Sequence, residues 1–67
     1  MFTLDRTKIF KIMAAKGLNQ SDVAKEAGMQ RQMLSFILSG KQDKARISTA
    51  GKIAKALGVD VLEIGHI

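Results

Sequence analysis

The sequence predicts an all-α protein, a compact bundle of five helices forming a single domain over residues 1–67. Three observations carry that expectation. Proline is absent throughout. Strict alternation of apolar and polar residues never persists, and apolar residues recur instead at three- and four-residue steps, the period of a helix buried along one face.

The chain of 67 residues has room for one modest core and no separate sensor or substrate domain. A hydrophobic fraction of 46% beside 25% charged residues is a globular balance, far from the composition of disordered chains. There is no cysteine and one histidine, His66, so a disulfide framework is excluded and a thiolate or multi-histidine metal site cannot be assembled. No metal and no cofactor is therefore expected, and His66 reads as an exposed tail residue. No apolar run approaches the roughly 18 residues of a membrane span, and residues 1–5 lack the basic-then-apolar plan of a secretory signal, so the cytoplasm is the expected location. Eleven Lys and Arg against six Asp and Glu leave a formal charge of +5, which favours polyanionic partners, either nucleic acid or an anionic membrane surface.

The first helix is expected over residues 5–16, with Ile9, Ile12 and Met13 on one stripe, Thr3 or Asp5 as cap and Gly17 as stop. Asn19, followed three residues later by Asp22, has the form of a shortened capping box and starts a second helix over 20–27. Gly28 reads as a helix C-terminus followed by a sharp turn, and a third helix follows over 30–38. Residues 41–46 are polar and basic and read as the one long surface loop. Ile47, Ala50, Ile53, Ala54 and Leu57 describe a fourth amphipathic helix closed by Gly58, in which Gly51 is expected to mark close packing. Asp60 and Glu63 form a last capping pair, opening a short fifth helix through Val61, Leu62 and Ile64.

Two short helices that cross steeply need a glycine turn between them, a small residue four positions before it, and apolar residues that seal the crossing. Gly28, Ala24 and the set Val23, Ala27, Met29, Leu34 and Ile37 supply each part, so residues 20–37 read as a helix-turn-helix.

The segments Leu18-Asn19-Gln20, Val23-Ala24, Gly28, Leu34-Ser35 and Ser39-Gly40-Lys41 resemble the Cro/repressor-type (XRE, lambda repressor-like) helix-turn-helix family of phage and bacterial regulators. The stretch from Ile53 to Val59 is similar to that family's fourth helix and the turn after it, and the resemblance covers roughly residues 5–64. It implies a sequence-specific transcriptional regulator of double-stranded DNA, a repressor, that places its second motif helix in the major groove. Gln30, Arg31, Gln32, Ser35 and Phe36 would then face the bases. Arg31 can hold a guanine and Gln32 an adenine through paired hydrogen bonds. Phe36 can offer only apolar contact, to a thymine methyl, or else it extends the core or an interface. The resemblance assigns phosphate contacts to Gln20, Lys41, Lys44 and Arg46. It also implies a homodimer on two half-sites, with Val61, Leu62, Ile64 and Ile67 as the apolar segment available for the interface. Two departures stand out: Ala45 occupies the place of a familiar proline, within a slightly longer loop, and Gln30 stands where a serine cap is usual.

Two other functions fit parts of the sequence. An antitoxin-type autoregulator would keep the fold and take a toxin protein as its main partner. A basic amphipathic protein of anionic membranes would insert Phe10, Met13 and Phe36. Catalysis has no support: Ser21, Ser35, Ser39 and Ser48 lack a base, and no glycine loop of the phosphate-cradling kind is present.

Overall fold

The computed structural model describes residues 1–41 and 43–67; Gln42, expected within the basic loop, lies outside the described residues. In chain order the elements are β1 (Phe2–Leu4), α1 (Arg6–Lys16), α2 (Gln20–Ala27), α3 (Arg31–Leu38), β2 (Lys44–Ala45), α4 (Ile47–Leu57), a single 3₁₀ turn (Val61–Glu63) and β3 (Gly65–His66). The expected all-α, five-helix architecture is thus corrected, among the described residues, to four α-helices and a small sheet.

Local capping explains where α1 and α2 begin. Asp5 starts α1 by accepting a hydrogen bond from the Lys8 amide at 3.2 Å, the role for which Thr3 was the other candidate. Thr3 lies in β1 instead. At α2, the Asn19 side chain accepts from the Asp22 amide at 2.9 Å and the Asp22 carboxylate accepts from the Asn19 amide at 3.1 Å, a complete capping box. The Lys16 ammonium at the end of α1 donates to the Leu57 carbonyl at the end of α4, where helix carbonyls lack partners.

The expected fifth helix is only the 3₁₀ turn. Asp60 accepts from Leu62 at 2.9 Å and Glu63 reaches back to the Asp60 amide at 3.1 Å, so the capping pair forms as predicted. The Ile64 amide then bonds to the Val61 carbonyl at 3.1 Å, and the chain leaves for the sheet. A segment this short gains too few hydrogen bonds to propagate an α-helix, and the residues that follow it, Gly65 and His66, pair with β1 instead.

The sheet has the order β2-β1-β3, antiparallel throughout, with Phe2 opposite Ala45, Thr3 opposite both Lys44 and His66, and Leu4 opposite Gly65. The Leu4 amide also donates to the Asp43 carbonyl at 2.6 Å and the Asp5 amide to the Ile64 carbonyl at 2.8 Å. The basic segment expected as surface loop is therefore partly strand, and His66, although exposed, belongs to β3 rather than to a free tail. Ala45, where proline was familiar, is buried in β2, a position suited to a residue that keeps its N–H. Gly65 is required by contact: a Cβ there would collide with the Thr3 carbonyl and approach the Phe2 ring to 2.6 Å.

One core joins the four helices, β1, β2 and the 3₁₀ turn. Phe2, Ile9, Val23, Leu34, Ile53, Leu57 and Ile64 are its largest fully buried side chains, and the described residues include no buried polar side-chain atom without a partner. Gly51 does not mark close packing, because a Cβ there would meet nothing within 4 Å beyond its own helix. Among the described residues no helix is long and apolar enough to cross a membrane.

Candidate nucleic-acid interface

The crossing of α2 and α3 is built from small and branched apolar residues. Val23, Ala24 and Ala27 of α2 are buried, as are Leu34, Ile37 and Leu38 of α3. Between them Gly28 adopts φ 68°, in the left-handed region, and its amide and that of Met29 bond back to Lys25 and Ala24 at 3.2 and 3.0 Å. That closure ends α2 within one residue and redirects the chain at low steric cost, since only glycine enters this region freely.

With one face of α3 fixed in the core, the helical repeat dictates what the other face presents. Gln32 and Phe36, four residues apart, stand one above the other at the centre of the outer face. Arg31 and Ser35 flank them on one side and Met33 on the other. All five are exposed. Gln30 precedes the helix in an extended conformation, φ −73° and ψ 140°, and makes no side-chain cap. The helix accordingly starts at Arg31, one residue later than expected, and its first amides receive no hydrogen bond from the Gln30 side chain.

The other residues assigned by resemblance lie around this face. Gln20 is the first residue of α2 and half-buried. Ser39 donates to the Phe36 carbonyl at 2.7 Å and accepts from the Lys41 amide at 3.4 Å, folding the chain back at the end of α3 with Lys41 exposed. Lys44 lies in β2 and Arg46 is the N-cap residue of α4, both exposed; Lys44, Ala45 and Arg46 line one shallow pocket with Met33 and Phe36.

Sequence reasoning missed Arg6. Gly40, at φ 86°, lies against the Arg6 guanidinium, which would collide with any Cβ at that position. A cation from the first turn of α1 is thereby brought to the C-terminal end of α3, where helix carbonyls favour positive charge and α3 supplies none of its own. Asp5 and Asp43 line the same depression. No local pattern could have signalled this, because α1 and Gly40 meet only in the folded chain.

The C-terminal residues divide. Ile64 is fully buried and Val61 packs against the core, which removes Ile64 from any exposed interface. Leu62 and Ile67 are 62% and 83% exposed. Of the three side chains grouped for membrane insertion, Met13 is buried in the core, so they do not share one exposed face.

Two short helices locked across a glycine turn, the second with its outer face open, define a helix-turn-helix domain. A helix-turn-helix family model matches residues 9–64, and the chain belongs to this XRE-type family of DNA-binding transcriptional regulators. Among solved structures it is similar to SinR, described as the master regulator for biofilm formation, in a complex with DNA. The identity is 28% and the TM-score 0.77, covering 85% of this chain and 90% of that one. The N-terminal DNA-binding domain of SinR from Bacillus subtilis gives the same identity and TM-score over 85% of this chain and 83% of that one. The restriction-modification controller protein C.AhdI from Aeromonas hydrophila shares the fold at 24% identity and a TM-score of 0.78, covering 87% and 86% of the two chains. No curated protein sequence matches the chain.

Proposed function

We propose that the protein is a sequence-specific regulator of double-stranded DNA, acting in the cytoplasm as a repressor and without catalytic activity. In this reading α3 lies in the major groove and presents Gln30, Arg31, Gln32, Ser35 and Phe36 to base edges. Gln20, Lys41, Lys44 and Arg46 hold phosphates on either side. The observation that carries the reading is the division of α3 into a face fixed by Leu34, Ile37 and Leu38 and an opposite face with Arg31 and Gln32 exposed in the first turn. A fork of guanidinium donors and a carboxamide are the groups that distinguish guanine and adenine in the major groove. The formal charge of +5 supports the same partner through counterion release.

The exposed Leu62 and Ile67 support self-association through the C-terminal segment, so that two chains read two half-sites about one DNA turn apart. Selection of bound duplexes from a random pool tests the whole reading, and a two-fold symmetric consensus is the expected product. On that DNA, Arg31→Ala or Gln32→Ala loses about 1–3 kcal/mol at defined base pairs. Lys41→Ala weakens binding to all sequences alike and lowers the salt slope by about 1. Equal losses on selected and random DNA from all three variants would overturn the assignment of α3 as the reading helix.

A further inference from the structure

The outer faces of the helices differ in kind. That of α2 carries Ser21, Lys25 and Glu26 and that of α4 carries Ser48, Lys52 and Lys55, all exposed. On α3 the outer face is mixed, with Phe36 beside Gln32 at its centre and Met33 on one flank: Phe36 is 47% exposed and Met33 53%. Met1, 71% exposed, joins them from the start of β1, and with Ala45 beneath them these residues line a shallow pocket of about 210 Å³ edged by Lys44 and Arg46. The fold gains little from leaving a phenyl ring and two thioether side chains in water, since each apolar group gives up its stabilisation when exposed.

An apolar floor inside a cationic rim fits a specific feature of duplex DNA. The C5 methyl of thymine is the apolar group displayed on base edges in the major groove, and phosphates flank it on both sides. Phe36 is one helical turn beyond Gln32, a rise of about 6 Å. A helix lying along the groove therefore brings the ring to a base near the one Gln32 addresses. We propose that the pocket formed by Phe36 and Met33 reads thymine through its C5 methyl, so that each bound chain selects a thymine beside the bases read by Arg31 and Gln32. This specificity rests on the DNA-binding reading above.

The test uses the full chain and a duplex selected from a random pool, in which each thymine is replaced singly by deoxyuridine. That change removes the methyl and leaves the hydrogen-bonding edge intact. At one position per half-site affinity is expected to fall about fourfold, the roughly 0.8 kcal/mol of one buried methyl at 1.4 kcal/mol per decade. Phe36→Leu keeps that sensitivity. Phe36→Ala, checked for folding by circular dichroism, binds thymine and deoxyuridine duplexes equally. Placing cytosine at the same position weakens binding, and 5-methylcytosine there recovers part of the loss. Equal affinity of the unaltered chain for thymine and deoxyuridine at every position overturns the proposal while DNA binding stands. So does undiminished methyl sensitivity in Phe36→Ala, which assigns the methyl to another residue. So does a Phe36→Ala change in self-association alone, measured by sedimentation, which makes the pocket a protein contact. Failure to select any duplex overturns the DNA-binding reading itself.

Discussion

The glycine turn and the three-stranded sheet hold α3 from its two ends, by opposite means. At the N-terminal end Gly28 joins α3 to its neighbour α2, and the contacts that seal the crossing lie within a few helical turns of sequence. At the C-terminal end the chain passes through β2 and is fastened to β1, whose residues come from the far end of the sequence. A local junction depends on the conformation of its own residues. A non-local one depends on side chains arriving from elsewhere and fitting, so the two should fail differently.

The largest effect is expected at the sheet. Phe2, in the central strand β1, is fully buried, and Phe2→Ala should cost about 3–5 kcal/mol. Thermal unfolding followed by circular dichroism should show a fall of more than about 10 °C. A loss below about 1 kcal/mol would mean that the sheet merely decorates a helical bundle. Gly65→Ala comes next, at about 1–3 kcal/mol, because the new Cβ must displace the β1 backbone at Thr3. Gly28→Ala should cost about 1–2 kcal/mol for a different reason: space is open around it and only the left-handed backbone is strained. The two variants separate on inspection of β1 amide exchange, which Gly65→Ala speeds and Gly28→Ala leaves near its original protection once global stability is accounted for. The smallest effect has the opposite sign. Gly51→Ala, in open space within α4, should stabilise by about 0.4–1 kcal/mol, and destabilisation there would reinstate the close packing that the structure denies.

The same division explains what was legible in the sequence. The bounds of α2 and α4 follow directly from Asn19, Gly28 and Gly58 together with the apolar stripes between them, because caps and helical periodicity are local signals. The strands contain only three, two and two residues. Segments that short carry no alternation to detect, and they pair through backbone groups that every residue possesses. Lys44-Ala45 therefore reads as loop and Gly65-His66 as tail until β1 lies between them. Ile64 reads as an available apolar residue because its burial comes only with the assembled core. In the candidate interface, Arg31, Gln32 and Phe36 were assigned by resemblance to the family. Arg6 and Met1 reach α3 only through the packing of α1 and β1, which no spacing encodes.

The position of β1 in the middle of the sheet also sets an order of assembly. The central strand is the first element of the chain, yet Phe2 pairs with Ala45 and Thr3 with His66. During synthesis β1 emerges before either partner exists, and the α2–α3 unit has all its residues well before β3 does. Pairing that closes such long loops lags behind local helix formation. The segment that displays Phe36 can thus take shape early, while the surface that flanks it, with Met1 and Lys44, is completed only when β2 pairs with β1.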